Sequence, residues 1–399
     1  MKKRNGALTL VLFFSVILMI ACPQPAQPAD TEPQKSANAE LSGLAVSAGV
    51  LEPPFSPSVT NYSVVVPNAA DSITVTGTRA DEKATLSANN GQAQSLSFGA
   101  NPIIITVTSE SGAVKNYTVT VRRPPFDLAM VRVPAGKFQR DATAANISEV
   151  SSFAISAYEI TRNQFLAIMG TDPSDTAKSS GMNDPVQKVN WYRAIAFCNK
   201  LSLMVGLTPV YSVSGITDWE ALSFDSIPTV SDSNWNNASA DWEADGYRLP
   251  TELEWMWAAM GAPADGQGAG TNTTGYLKAF AGSTGSNAIG DYAVFGRYSG
   301  ELGSTPYART NEIGGKLANE IGLYDMSGNC EEWCWDRGGS NYPDGLLLDY
   351  RGHTQTTDKR VLRGGSWSNA AFLCTVEKRN INNDGFGLFY STGFRVVRK

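Results

Sequence analysis

Residues 41 to 123 alternate β-branched and polar side chains along short segments. The segments "NYSVVVP", "SITVTGT", "NPIIITVTS" and "KNYTVTVRR" follow the period of two that places successive side chains on opposite faces of a strand. Turn-rich clusters such as "PPFSPSVT", "ANNGQ" and "SESG" separate them. Short strands at this spacing are typical of an antiparallel sandwich. Residues 39–123 are therefore predicted to form an all-β sandwich.

The pattern changes after "PPFD" at residues 124–127, which marks a domain boundary. The next segment, "MVRVPAGKFQ", predicts a strand that is broken by Pro134 and Gly136. The segment "TRNQFLAIMG" predicts a helix with Thr161 as its N-cap and Gly170 just past its end. These features open a second domain, predicted to cover residues 128–399.

Two further helices follow from spacing and capping signals. In "VNWYRAIAFCNKLSLMVG", apolar residues recur at intervals of three and four and define one buried face. In "RLPTELEWMWAAMGA", Thr251 and Glu254 have the spacing of a capping box. The rest of the second domain is rich in Gly, Asn and Trp and shows no strong period. Long loops of this kind inside a compact domain are typically functional or fixed by ions and aromatic packing.

The first residues, "MKKRNGALTLVLFFSVILMIAC", have the layout of an export signal. A basic start precedes an apolar run from Leu8 to Ile20, which is short for a membrane span and lacks a basic stop-transfer cluster. The arrangement resembles a bacterial lipoprotein signal. The resemblance implies a signal peptide at residues 1–21, lipidation of Cys22, and attachment to the bacterial cell envelope at the outer membrane or cell surface. Residues 22–38 are low-complexity and polar, and are predicted to be a flexible tether.

Composition excludes several classes of function. His353 is the only histidine, which removes most His-based triads and zinc sites. The net charge of -6 argues against nucleic acid as a partner. Five cysteines among 399 residues are too few for a disulfide scaffold of this size.

The first domain resembles bacterial cadherin-like β-sandwich modules. The resemblance rests on "LSGLAVSAGVLEPPFSPSVTNYSVVVP" at its start and "GAVKNYTVTVRR" at its last strand. The segment has no cluster of acidic residues of the kind that binds calcium between cadherin modules. This domain is therefore interpreted as a spacer that lifts the next domain off the membrane.

The second domain resembles the formylglycine-generating-enzyme, or sulfatase-modifying-factor, family. Seven motifs stand in order: "MVRVPAGKFQ", "YEITRNQF", "PVQKVNWYRAIAFCNKLS", "YRLPTELEWMWAAMG", "GLYDMSGNCEEWCWD", "RVLRGGSW" and "GFRVVRK". The resemblance implies an α+β domain related to the C-type lectin fold. The predicted architecture is thus multidomain, an all-β sandwich followed by a C-type-lectin-like domain.

The resemblance also implies a possible oxidase. Copper-dependent members convert a substrate cysteine to formylglycine with two thiolates, which are soft ligands for Cu(I). The matching positions here are Asn369 and Cys374. An asparagine carbonyl is a hard ligand and does not replace a thiolate, so copper and catalysis are not expected. The alternative keeps Cys374 as a catalytic residue acting on cysteine in protein substrates, with a second thiol close to it.

In the family, the loop "YDMSGNCEEW" binds calcium. By position, Asp325 and Glu332 would supply carboxylates, and Gly328 and Cys330 would supply main-chain carbonyls. Hard oxygen donors of this kind suit Ca²⁺. The alternative is a tight turn whose acidic side chains face solvent.

The segment between "RVLRGGSW" and "GFRVVRK" mixes aromatic, aliphatic and small polar residues without a helical or strand period. Either it is an irregular part of the core, or it is an exposed surface of the type antibodies use for binding. It resembles the branch of the family that diversity-generating retroelements diversify, in which this segment binds the ligand. The resemblance implies the following ligand-binding residues: Asn369, Phe372, Leu373, Ile381, Asn382, Asn383, Asp384, Phe386, Leu388, Phe389 and Tyr390.

The sequence thus supports two hypotheses. The first is a surface lipoprotein with a non-catalytic, variable domain that binds a protein, peptide or glycan. It predicts that Phe372, Leu373, Phe386, Phe389 and Tyr390 are exposed in a shallow concavity. The second is the oxidase-type enzyme.

Overall fold

The computed structural model describes residues 34–262, 270–339, 341–355 and 357–399, and the side chain of Asn382 is not described. The predicted signal peptide and Cys22 lie outside the described residues. No helix in the described ranges is long and apolar enough to cross a membrane.

Residues 41–123 form the predicted β-sandwich. Its strands are β1 (Leu41–Val46), β2 (Asn61–Val65), β3 (Ser72–Arg79), β4 (Thr85–Leu86), β5 (Ala93–Ser95), β6 (Gly99–Thr108) and β7 (Val114–Arg123). One sheet has the order β1-β3-β5 and the other β2-β7-β6-β4. The alternating apolar side chains of both sheets meet in one core, which includes Tyr117 and Val119.

The sandwich departs from the prediction in one pairing. Strands β2 and β7 are parallel, whereas an antiparallel arrangement of all neighbouring strands was predicted. After β1, which pairs with β3 in one sheet, the chain crosses to the other sheet and forms β2 at its edge. A strand that enters by such a crossover is free to run in the direction of its neighbour, because no hairpin joins the two.

The second domain, here called the head domain, combines short sheets with few helices. Its helices are α1 (Arg162–Met169), α2 (Trp191–Met204), α3 (Ser233–Asn236) and α4 (Glu252–Ala259). Its strands are β8 (Met130–Val133), β9 (Gly136–Gln139), β10 (Ile147–Val150), β11 (Phe153–Ser156), β12 (Tyr211–Ser212), β13 (Ser239–Ala240), β14 (Thr271–Asn272), β15 (Glu331–Arg337), β16 (Leu347–Leu348), β17 (Lys359–Arg363), β18 (Asn380–Asp384), β19 (Thr392–Gly393) and β20 (Val397–Arg398).

The capping signals correctly place the helices. Thr161 and Gln164 form a capping box at the start of α1, and Gly170 ends that helix in the left-handed region at φ 73°. Thr251 and Glu254 form the predicted capping box of α4. The predicted break in "MVRVPAGKFQ" is also observed, between β8 and β9.

Two clusters of buried side chains make up the core of the head domain, one around α2 and one around α4. Trp191 and Trp333 belong to the first cluster, and Trp255 and Trp257 to the second. Close packing against an indole ring requires glycine at position 136, because a Cβ there would lie 2.2 Å from Cζ2 of Trp257. Burial of these large rings stabilises a domain that has little regular secondary structure.

The sheet that positions the candidate site has the order β18-β17-β15-β19. Strands β17 and β18 are antiparallel and contain the residues before and within the C-terminal segment (residues 368–392). No strand period marks that segment in the sequence, so the strand at Asn380–Asp384 was not predicted. The run "NINND" lacks apolar alternation, and it is a strand because its main chain pairs with β17.

Candidate functional site

The turn after β17 brings the two family cysteine positions to the same loop. Gly365 has φ 70°, and a Cβ there would lie 2.7 Å from Sγ of Cys374 and 2.8 Å from the carbonyl oxygen of Leu373. Only glycine combines this backbone conformation with this close approach. Gly365 therefore allows the C-terminal segment to fold back against the end of β17.

Cys374 is a buried apolar residue in this structure. Its side chain is fully buried and belongs to a small cluster with Ala293 and Phe295, and it forms no disulfide. Burial raises the pKa of the Cys374 thiol to about 12. The thiol is therefore protonated at neutral pH, whereas a metal ligand or nucleophile must be a thiolate.

Asn369, at the other cysteine position, has a structural role. Its Oδ1 accepts a hydrogen bond from the hydroxyl of Ser366 at 2.7 Å. Its main-chain carbonyl accepts from the N–H of Gly296 at 2.7 Å. Asn369 therefore stabilises its own loop and connects that loop to the main chain at Gly296.

Part of the C-terminal segment is exposed as predicted by the binding hypothesis. Phe372 is 68 % exposed, Tyr390 50 %, and Leu388 and Phe389 38 % each. The predicted exposure is only partly met at the two remaining residues, because Phe386 packs against the core around α2 and Leu373 is half-buried.

A cavity of about 330 Å³ is lined by residues of the same segment and of β15. Leu373 on its wall follows the exposed Phe372 in the chain, and Glu331 on its wall donates its N–H to the carbonyl of Ser391, next to Tyr390. Three of the predicted residues, Asn369, Leu373 and Ile381, line it together with Arg363 and other polar side chains. Asn383 and Asp384 lie on β18 instead, where they pair in register with Arg360 and Lys359. The predicted residues thus divide between a cavity, an exposed ring cluster and a sheet edge.

Charged groups at the cavity are mostly paired. The carboxylate of Glu252 contacts Arg379 at 2.6 Å and Arg363 at 3.3 Å. Glu331 accepts a hydrogen bond from Nδ2 of Asn380 at 3.0 Å, and burial raises the pKa of its carboxyl group. The cavity can therefore offer hydrogen bonds to a ligand from a rigid polar frame.

Sequence reasoning missed a second loop, residues 295–309, that lies against the C-terminal segment. The N–H of Arg297 donates to the carbonyl of Trp367 at 3.0 Å, next to the Gly296–Asn369 bond. The carboxylate of Glu301 accepts from the N–H of Ala371 at 3.0 Å. Because main-chain groups make these bonds, no periodicity in "FGRYSGELGSTPYAR" could have revealed them, although its Gly and Tyr content is typical of binding loops.

The second loop extends the exposed surface. Tyr298 and Tyr390 both contact Trp367, with ring centroids 6.1 Å apart in each pair. Tyr298 is 68 % exposed and Leu302 is 99 % exposed. We call the surface formed by the second loop and the exposed residues of the C-terminal segment, which pack over the buried Trp367, the aromatic face.

The side chains at the predicted calcium positions have other partners. Both carboxylate oxygens of Glu332 accept hydrogen bonds from Arg395, and one also accepts from Nε1 of Trp255 at 2.7 Å. Asp325 accepts from the N–H of Gly314 at 2.7 Å, and burial raises the pKa of its carboxyl group to about 6. The alternative of a turn with solvent-facing acids is wrong, since Asp325 and Glu332 are 2 % and 0 % exposed.

The pairing of both carboxylate oxygens of Glu332 with a guanidinium fits calcium poorly at that side chain. Gly328 donates its N–H to the carbonyl of Gly364, and Cys330 donates its N–H to Glu159, so these bonds do not involve the carbonyl oxygens predicted as calcium ligands. In the described part of the chain, no group of three or more His, Cys, Asp or Glu side chains is placed to hold a metal ion. Calcium at this loop stays a prediction from the resemblance, and the observed ion pair argues against it.

The fold and the loop geometry define a C-type-lectin-like domain of the sulfatase-modifying-factor type, which follows a cadherin-like sandwich in the chain. Residues 119–399 match the sulfatase-modifying factor enzyme 1-like domain, and residues 39–124 match the cadherin-like β-sandwich domain. The first match covers more than half of the chain, and the chain therefore belongs to the sulfatase-modifying factor family.

Proteins similar to this chain include a variable protein, a chaperone protein and a formylglycine-generating enzyme. The solved structure of Treponema denticola variable protein 1 is 32 % identical, with a TM-score of 0.58, and covers 75 % of this chain and 99 % of its own. The chaperone protein LppX of Paenibacillus barcinonensis is 29 % identical over 68 % of this chain and 89 % of its own. The formylglycine-generating enzyme of Thermomonospora curvata is 27 % identical over 63 % of this chain and 86 % of its own.

Proposed function

We propose that this protein is a lipid-anchored protein of the bacterial cell surface whose head domain binds a ligand through the aromatic face and catalyses no reaction. The observation that carries the proposal is the exposure of Phe372, Phe389 and Tyr390 on a segment whose residues Asn369, Leu373 and Ile381 also line a cavity of about 330 Å³. Rigid rings supply contact area at low entropic cost, and the adjacent polar groups supply hydrogen bonds. The ligand is a protein, peptide or glycan.

Attachment through Cys22 and the tether places the sandwich between the membrane and the head domain. The sandwich contacts the head domain directly, since Nη1 of Arg122 donates to the carbonyl of Leu203 at 2.7 Å. We interpret the sandwich as a spacer. Retroelements of this kind mutate the adenines of Asn-type codons, and such changes can reach the residue at every position from 368 to 392 except Glu377 and Lys378. This pattern and the similarity to a variable protein support diversification by a retroelement as part of the proposal.

The non-catalytic part of the proposal predicts that the protein does not bind Cu(I) stoichiometrically. Asn369 lacks a thiolate, and the buried thiol of Cys374 with a pKa of about 12 would have to lose its proton to bind copper. Titration of Cu(I) against a competing chelator should give the same weak binding for the native protein and for Cys374→Ala.

Tight one-to-one binding of Cu(I) that Cys374→Ala abolishes would overturn this part of the proposal. The oxidase-type activity on cysteine in protein substrates would then be the function to test. Cys198→Ala is a matched control, because Cys198 is also fully buried and free but lies on α2, outside the candidate site.

The binding part of the proposal predicts that truncation of the exposed rings removes ligand capture and preserves the fold. The variant Phe372→Ala/Phe389→Ala/Tyr390→Ala should lose on the order of 2–4 kcal/mol of binding free energy, because buried aromatic anchors dominate interfaces. Capture of membrane and surface components by the immobilised protein, followed by titration of each captured partner, measures the effect.

The matched control is Val50→Ala/Phe98→Ala/Val114→Ala, which truncates exposed apolar side chains of the sandwich. This control should bind like the native protein. If Phe372→Ala/Phe389→Ala/Tyr390→Ala bound the ligand as tightly as this control, the aromatic face would not be the binding surface.

A further inference from the structure

The aromatic face carries three cations that form no ion pair with a carboxylate among the described residues. Nζ of Lys178 lies 5.7 Å from the ring centroids of both Trp367 and Tyr390. The guanidinium carbon of Arg297 lies 5.4 Å from the ring of Tyr298. In the same way, Arg309 lies 4.6 Å from the ring of Tyr307. No ion pair in the described ranges involves Lys178, Arg297 or Arg309.

The three cations belong to one continuous surface. The main chain of Lys178 accepts hydrogen bonds from the N–H and the hydroxyl of Thr310, both at 3.1 Å, which joins it to the end of the second loop. Arg297 is held next to Trp367 by its own N–H. These main-chain bonds therefore hold the segments that carry the three cations next to one another.

The surface has a local positive charge in an otherwise acidic protein. The second loop contains two arginines and one acidic residue, Glu301, and Lys178 lies against its end, so cations outnumber carboxylates there. The whole chain has a net charge of -6. A cationic patch on an acidic molecule attracts and orients an anionic partner, because the remaining surface repels it.

The uncharged part of the face favours a polypeptide over a sugar. Leu302 is 99 % exposed and Phe372 is 68 % exposed, so both side chains project into solvent. Projecting aliphatic and aromatic side chains fit pockets on a protein partner, and Tyr and Arg are the residue types that dominate such interfaces. Sugars are instead bound by flat rings and hydrogen bonds, to which a projecting leucine contributes little.

We propose that the aromatic face binds an acidic segment of a partner polypeptide, with Lys178, Arg297 and Arg309 as the groups that recognise its carboxylates. The proposal rests on the ligand-binding function proposed above and names the class of its ligand. Lys178, Arg297 and Arg309 are half-buried, and Nε of both arginines has no hydrogen-bond partner among the described residues. A cation stacked on an aromatic ring keeps its remaining N–H groups as hydrogen-bond donors for a carboxylate.

The test is selection of a phage-displayed library of random peptides on the full chain, purified in detergent. The selected peptides should be enriched in Asp and Glu over the library. They should bind at least about tenfold more weakly to Lys178→Gln/Arg297→Gln/Arg309→Gln, and binding should weaken as salt rises. The charge-matched control Lys83→Gln/Lys137→Gln/Lys399→Gln, which lies outside the face, should bind like the native protein.

Selection of neutral or basic peptides, failure to select any peptide, or equal binding by the charge variant would each overturn this inference. Charge-dependent binding of polygalacturonate without selection of peptides would assign the face to an anionic glycan instead. Loss of binding in Phe372→Ala/Phe389→Ala/Tyr390→Ala with full binding in the charge variant would overturn this inference alone. Unchanged binding in both variants would overturn the proposed function as well.

Discussion

Replacement of Arg395 by methionine is expected to reduce the unfolding free energy of the head domain by about 3–5 kcal/mol, because it leaves a buried carboxylate without its partner. Arg395 and Glu332 are both fully buried and lie 2.6 Å apart. Arg395 also donates to the main-chain carbonyls of Ser156 and Tyr324. The guanidinium therefore joins β15 to the last strands of the chain through bonds that methionine cannot make.

Tryptophan fluorescence during denaturant unfolding measures this effect selectively, because every tryptophan of the chain lies between residues 128 and 399. Lys399→Met is the control, since it removes an exposed ion pair with Glu243 and should cost at most about 1 kcal/mol. The double variant Arg395→Met/Glu332→Leu should recover part of the loss. A cost below about 1 kcal/mol for Arg395→Met would contradict the role assigned to the pair.

Replacement of Trp367 by alanine is expected to cost about 3–5 kcal/mol, the usual cost of removing a fully buried indole. The reason is the cavity that remains beneath Tyr298 and Tyr390, which both contact the indole ring. Trp367→Phe retains an aromatic ring in the same place and should cost less, on the order of 1–2 kcal/mol.

The same fluorescence measurement tests this prediction, with Tyr298→Ala as the control. Tyr298 is 68 % exposed, so its truncation should change the unfolding free energy by no more than about 0.5 kcal/mol. Trp367→Ala and Tyr298→Ala with equal stability would show that the aromatic face does not depend on the buried indole.

The helices could be predicted from the sequence because their signals are local. Thr161 with Gly170, and Thr251 with Glu254, fix helix ends within a few residues of the chain. Strand β18 could not be predicted, because its pairing with β17 depends on main-chain groups far apart in the sequence. For the same reason the contact between Gly296 and Asn369 has no signature in the residue pattern.

The candidate site was predictable only in part. Position along the chain identified Asn369 and Cys374 as the residues to compare with the family's thiolates, and burial explains why Cys374 resembles a core residue. Position could not show that Glu332, a predicted calcium ligand, pairs with Arg395, because an ion pair between residues 63 positions apart is a property of the fold.

The loops of the aromatic face are joined mainly through peptide groups: Gly296 to Asn369, Arg297 to Trp367, and Lys188 to Phe389. Peptide groups are the same whatever the side chain. Exchange of the projecting side chains therefore alters the chemistry presented to a ligand while it leaves the supporting bonds in place. Under the proposed binding function, such a surface could acquire new specificities at little risk to folding, and the head domain would be a tolerant template for evolutionary change.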